Sequence, residues 1–208
     1  MINPVAVFDV LHIGLSLERK LDDFSQYEIQ LFGYLSCLLH LYEGNPISSW
    51  GYDFVKNDFG SPYSRDINLA VDALKRKGLL VERQDTFLTI SSDGKAEYEV
   101  YSGMHSNKAR LTYLTAACNS IKLMPYGLVK SSISQEPMLM SANGHNQDRF
   151  LTDEANPAYA LLYEQFEMLK IALRNHRAGL TVPAVVWLEY LNLHRHPEEL
   201  STSEYNNP

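Results

Sequence analysis

Apolar side chains recur at helical spacing soon after the start of the chain. From Gln26 onward they fall at i, i+4, i+7, i+8 and i+11, which places them on one face of a helix. These positions are Leu31, Leu35, Leu38, Leu39 and Tyr42. Gly44 is suited to end that helix. After a short extended link, a second and shorter helix is expected through Trp50 and Val55.

A third predicted helix has signals at both ends. Ser64 is suited to the N-cap, and Asp66 favours the positive end of the helix dipole. Residues 75–77, Lys-Arg-Lys, fall in the last turn, and Gly78 supplies a left-handed terminator. The inward stripe has the spacing i, i+4, i+7. It consists of Ile67, Val71 and Leu74.

Two short apolar runs follow this helix, at Leu79–Arg83 and Phe87–Ile90. The polar residues between them predict a hairpin. The order of two helices, a capped helix ending in Lys-Gly-Leu and a hairpin resembles a winged helix-turn-helix domain. The segment 89–94, Thr-Ile-Ser-Ser-Asp-Gly, resembles the exit from its wing. We therefore expect a winged-helix domain over residues 26–103, with a two-stranded wing.

The rest of the chain also favours helices. Residues 107–124 carry a helical apolar pattern, and Asn156-Pro157 is a cap followed by the preferred first-turn proline. The predicted fold is mainly α, with an N-terminal arm over residues 1–25, the winged helix and a helical bundle over residues 104–208. The apolar N-terminal stretch carries Asp9 and His12 and no basic leader, which argues against a signal peptide or membrane span.

Charge is distributed unevenly. The chain has 18 Lys and Arg against 25 Asp and Glu, a net charge of −7. Residues 26–103 alone hold seven Lys and Arg against eleven Asp and Glu, a net charge of −4. This sign disfavours DNA binding over the whole surface and leaves only local contact through the third helix and wing. The DNA-contact candidates are Arg65, Asn68, Lys75, Arg76, Lys77 and Arg83.

Several aromatic residues are candidates for a protein interface, where Trp and Tyr are enriched. They are Trp50, Tyr52, Tyr63, Trp187 and Tyr190. The alternative is that the helical second half of the same chain covers them. Both interpretations stay open from the sequence.

The sequence contains none of the common catalytic motifs. No phosphate-binding loop, nucleophile elbow or paired zinc-ligand spacing occurs. Cys37 and Cys118 each lie in an apolar stretch, and Cys37 with His40 is better explained as a core cysteine beside a helix-face histidine. The sequence thus predicts a cytoplasmic protein that is not an enzyme and has neither cofactor nor metal.

The family resemblance rests on the overall arrangement and two short segments. These are Met124-Pro125-Tyr126-Gly127 and Gln135-Glu136-Pro137. With them the chain resembles the small middle subunit of bacterial ABC three-component, Lamassu-type defence systems, and winged-helix subunits of SMC-like ATPases. The resemblance implies a non-catalytic adaptor that bridges a coiled-coil SMC-like ATPase and an effector nuclease near DNA. A DNA-binding transcriptional regulator or antitoxin is the alternative, and an enzyme of unrecognised type is a third.

Overall fold

A computed structural model of the chain describes residues 2–21, 23–83, 86–142, 150–173 and 179–194. These residues are mainly helical, with two small antiparallel sheets. The helices are α1 Pro4–Glu18, α2 Gln26–Tyr42, α3 Arg65–Arg76, α4 Ser92–Ser102, α5 Lys108–Asn119, α6 Tyr126–Ile133, α7 Pro137–Ser141, α8 Pro157–Ala172 and α9 Thr181–Leu193. The strands are β1 Val55–Lys56, β2 Pro62–Tyr63, β3 Leu80–Glu82 and β4 Leu88–Ile90. The mainly α prediction is confirmed.

The first helix lies inside the molecule. Asn3 caps α1 by accepting a hydrogen bond from the Val5 amide at 3.0 Å, and Pro4 occupies the first turn. Most of α1 is buried, and it packs against α2, α3, α4 and α5. A helix that is apolar on nearly every side must be covered on every side. Residues 1–25 were expected to form an arm, but α1 instead forms the centre of the core.

The next helix begins and ends where the sequence predicts. Ser25 caps α2, and its amide donates to the Glu28 carboxylate at 2.7 Å, which completes a capping box. The same carboxylate accepts a hydrogen bond from the Tyr126 hydroxyl at 2.7 Å. This cap therefore also attaches α2 to α6.

The connection from α2 to α3 differs from the prediction. Residues 43–64, all of which the structure describes, contain one 3₁₀ turn at Ile47–Trp50 and the β1–β2 hairpin, and no α-helix. The turn ends at Gly51, whose φ of 101° excludes continuation as a right-handed helix. The predicted short helix through Trp50 and Val55 is therefore wrong.

The third helix and the hairpin after it follow the prediction. Helix α3 begins at Arg65 and is followed by Gly78 at φ 70°. Its start is held by Gln30 of α2, whose side-chain amide accepts from the Ser64 amide at 2.7 Å and donates to the Ser64 carbonyl at 3.0 Å. Strands β3 and β4 pair antiparallel, with Leu80 opposite Ile90. The predicted hairpin is confirmed.

One continuous hydrophobic core joins most of these elements. It includes buried residues from α1, α2 and α3 together with others from α5, α6, α8 and α9. The N-terminal segment, the hairpin region and the helical second half thus share their interior. None of the described helices is long and apolar enough to cross a membrane.

Candidate interaction surfaces

The predicted DNA-contact residues do not form one surface. Arg65 is exposed at the start of α3, whereas Arg76 and Lys77 are exposed at its end. Eleven residues of helix separate Arg65 from Arg76, which is about 16 Å at 1.5 Å per residue. Arg83 is exposed directly after β3. We use the term cationic edge for three of these residues, Arg76, Lys77 and Arg83.

Two other members of the predicted set are bound to neighbouring side chains. Lys75 forms an ion pair with Glu82 of β3, which offsets its charge. Asn68 accepts a hydrogen bond from the Gln26 side chain at 2.6 Å. Its amide also lies 3.4 Å from the Asp72 carboxylate. Base or phosphate contact by either residue would require breaking these bonds.

Three of the five predicted interface aromatics are buried. Trp50 and Tyr52 lie against α5, where the Arg110 guanidinium stacks 3.4 Å from the Trp50 ring centroid. Trp187 packs 5.0 Å from Phe166 between ring centroids. The interface prediction is therefore wrong for Trp50 and Tyr52, which other residues of the chain cover, whereas the buried Trp187 still lines a groove between α8 and α9.

The other two aromatic candidates differ in exposure. Tyr63 is half-buried, and Tyr190 is 42% exposed. The Tyr190 ring lies 4.2 Å from that of His194 between centroids. His194 directly follows the last residue of α9. Tyr190 is therefore the large aromatic candidate that the structure leaves open to solvent.

A buried ion pair lies beneath Trp50. Arg110 donates from Nε to Oδ1 and from Nη2 to Oδ2 of Asp9, both at 2.6 Å, and from Nη1 to the Trp50 carbonyl at 2.6 Å. The Tyr52 hydroxyl donates to Asp9 Oδ2 at 2.5 Å. Burial raises the pKa of the Asp9 carboxyl, and the Arg110 charge opposes that change. Because these donors bind acceptors within the protein, the cluster joins α5 to α1 and to Trp50 and does not present its charge to a ligand.

A cavity of about 390 Å³ opens beside this cluster. Its walls include His40, Trp50, Tyr101 and Tyr113. Ser49 donates its hydroxyl proton to a carbonyl at 2.7 Å and so accepts from His40 Nε2 at 2.8 Å. This fixes Nε2 as the protonated nitrogen of a neutral ring, and burial lowers the His40 pKa. The cavity is lined by polar as well as apolar side chains, the polar ones being His40, Ser49, Ser106, Asn107 and Arg110.

Other buried titratable groups also have structural partners. His12 contacts the Tyr98 hydroxyl at 2.9 Å and the Thr115 hydroxyl at 3.1 Å. Burial, with Lys20 and Arg19 nearby, lowers the His12 pKa to about 4. In the sequence analysis, Asp9 and His12 serve only as an argument against a membrane span. The position of Asp9 and His12 inside an otherwise apolar helix is the sequence signal that indicates a buried polar role for them.

Burial makes the two cysteine thiols unreactive. Burial raises the pKa of Cys37 and raises that of Cys118 to about 12. A thiol rather than a thiolate is therefore present at neutral pH. In the described residues, no group of three or more His, Cys, Asp or Glu is placed to hold a metal ion.

An open hollow lies between helices α8 and α9. This α8–α9 groove has a volume of about 530 Å³. Trp187 and Leu169 lie at its base, and Trp187 Nε1 donates to the Gln165 side chain at 3.1 Å. Its open walls are mostly apolar. They are Leu161, Met168, Ala172, Val186 and Tyr190, with Glu164 as the acidic member.

A smaller hollow lies on another side of α9. It measures about 210 Å³ and lies between α9 and the start of α6. Leu123, Leu128 and Leu193 line it and are 60%, 40% and 80% exposed. Helix α9 therefore has apolar surface open to solvent on both of its flanks. Exposed apolar patches on a protein surface mark interaction sites.

Comparison with known proteins gave no family assignment. No family model matches the chain, and no curated protein or solved structure matches it.

Proposed function

We propose that the chain is a non-catalytic adaptor subunit of a bacterial antiviral or anti-plasmid defence complex. In this proposal it bridges an SMC-like ATPase and an effector nuclease near DNA, as the sequence resemblance implies. The observation that carries the adaptor role is the α8–α9 groove, where Met168 is 61% exposed on an apolar wall. Such a surface is stabilised when a partner covers it.

The cationic edge supports a second, local contact with DNA. The proposal treats α3 and the β3–β4 hairpin as the recognition helix and wing of a winged-helix domain. Arg76, Lys77 and Arg83 are exposed at the end of α3 and at β3, positions that meet DNA backbone in that domain class. In this proposal α2 is a supporting helix of the domain, and the β1–β2 hairpin stands where that domain class has a helix before α3.

The test is co-purification of tagged protein expressed from its native operon. We expect recovery of a complex that contains a coiled-coil ATPase and a nuclease. The same purification is repeated with Met168→Glu and with Val100→Glu, which are matched because their side chains are 61% and 62% exposed. Recovery of an isolated dimer that binds DNA tightly at physiological salt would overturn the adaptor proposal.

The alternative, a DNA-binding regulator, is favoured by the cationic edge alone. Arg76→Glu/Lys77→Glu/Arg83→Glu should abolish DNA affinity, because it replaces three exposed cations with anions. Lys108→Glu/Lys122→Glu/Lys130→Glu, which makes the same change in charge at exposed positions outside residues 26–103, is the control for total charge. Affinity that survives the triple change places any DNA contact elsewhere on the protein.

A further inference from the structure

We infer that the α8–α9 groove binds an amphipathic helix of a protein partner, and that this helix is cationic along the edge that meets Glu164. The inference rests on the proposed adaptor function and specifies the partner of that surface. The partner helix carries an apolar stripe at positions i, i+3 or i+4, and i+7, and Lys or Arg residues flank this stripe.

The length and spacing of the groove fit a helix. Leu161, Met168 and Ala172 on α8 are separated by seven and four residues, which places them on one face. From Leu161 to Ala172 the wall extends about 16 Å, equal to three turns of an opposing helix. Helix-in-groove recognition uses anchors at this same spacing. The α8–α9 groove can therefore bind a third helix between α8 and α9.

The charges at the groove favour a cationic occupant. Glu164 lines the groove, and Glu189 lines the smaller hollow. No Lys or Arg is among the described residues that line either one. Lys170 of α8 pairs with Glu167 at 2.8 Å and lies over the Tyr42 ring, on another face of the helix. Arg174 and Arg177 follow α8 in the sequence and lie outside the described residues.

Two other occupants fit these charges less well. A second copy of the chain would bring its own Glu164 and Glu189 to the interface, and each copy carries a net charge of −7. Residues 195–208 of the sequence contain three Glu and one Arg, with Leu200 and Tyr205 as their large apolar side chains. That composition lacks the apolar stripe that the groove would need.

The experiment uses the full chain and two labelled synthetic peptides of about 18 residues. Both carry the same Leu stripe at helical spacing, with Lys flanks in one and Glu flanks in the other. By fluorescence anisotropy at physiological salt, we expect the Lys peptide to bind at least ten-fold more tightly. Met168→Glu should weaken Lys-peptide binding at least ten-fold, whereas Val100→Glu should leave it unchanged. Glu164→Lys/Glu189→Lys should reverse the preference between the peptides.

Several results would overturn the inference. Equal binding of the two peptides, or equal losses in Met168→Glu and Val100→Glu, would show nonspecific adhesion. Sedimentation that changes from dimer to monomer in Met168→Glu would identify a second copy as the occupant. If the native complex co-purifies equally with Met168→Glu, the adaptor proposal stands and the groove inference fails. If the peptides behave as expected but no partner co-purifies with the wild-type chain, the proposed function fails instead.

Discussion

Arg110 of α5 donates two hydrogen bonds of 2.6 Å to the Asp9 carboxylate of α1, beneath the ring of Trp50. The pair connects the first helix of the chain to its second half across 101 residues. Its Asp9 carboxylate is fully buried. An ion in such a place is tolerated only while its partner and hydrogen bonds are present.

Removing the cation should therefore be costly. Arg110→Met keeps much of the side-chain volume but leaves Asp9 buried without its counterion. We expect a loss of about 3 to 5 kcal/mol in the free energy of unfolding, measured by urea denaturation at pH 7. Arg65→Met, an exposed change on α3, should shift it by no more than about 0.5 kcal/mol. Asp9→Leu/Arg110→Met should recover part of the loss, and a double variant no better than Arg110→Met would contradict this account.

Gly94 at the start of α4 is a second structural requirement. A Cβ at this position would lie 2.2 Å from the Leu79 carbonyl oxygen and 2.8 Å from Ile90 Cγ2. Gly94→Ala must therefore displace backbone between the hairpin and α4, and should lower the free energy of unfolding by about 2 kcal/mol or more. Gly127→Ala is the matched control because a Cβ there meets nothing within 4 Å. It should be neutral or stabilise by up to about 1 kcal/mol, and equal effects would exclude the steric explanation.

Local signals explain what the sequence predicted well. The capping box at Ser25, the glycine at position 78 and the apolar runs of β3 and β4 each determine structure within a few residues. Those elements form with their predicted type and nearly their predicted bounds. Their agreement reflects short-range chemistry that does not depend on the rest of the fold.

Long-range packing explains what the sequence did not predict. Helix α1 was interpreted as an arm because nothing nearby in sequence shows that α3 and α5 enclose it. Trp50 was considered a surface anchor because Arg110, which covers it, lies 60 residues away. The α8–α9 groove was missed for the same reason: Tyr190 was singled out, but exposure of Leu161 and Met168 depends on how α8 packs.

Acid conditions should destabilise the protein through His12. Its pKa is about 4 in the folded chain against an ordinary 6.5. The unfolded chain therefore binds the proton first as pH falls, so this contribution is present above pH 6.5 and lost toward pH 4. The loss can reach about 3 kcal/mol. His12→Gln does not titrate and should flatten the dependence of unfolding free energy on pH between 6.5 and 4. An unchanged slope in His12→Gln would contradict this prediction.

Glu136 should act in the opposite direction. Its carboxylate caps α7 by accepting from the amides of Met138 and Leu139, each at 2.9 Å, and it accepts from the Tyr34 hydroxyl at 2.8 Å. Burial outweighs these bonds and raises its pKa to about 7 from 4.5. The folded chain then holds a proton that the unfolded chain has released, so stability should fall as pH rises from 4.5 to 7.

The neutral variant Glu136→Gln isolates this effect, because subtracting its unfolding free energy from that of the wild type removes the contributions of other groups. That difference should fall by up to about 3 kcal/mol between pH 4.5 and 7.5. Tyr34→Phe provides a second check. The Tyr34 hydrogen bond lowers the pKa of Glu136, so its loss should move the midpoint of the transition to higher pH. A difference that stays constant over this range would show that Glu136 titrates at the same pH in the folded and unfolded chains.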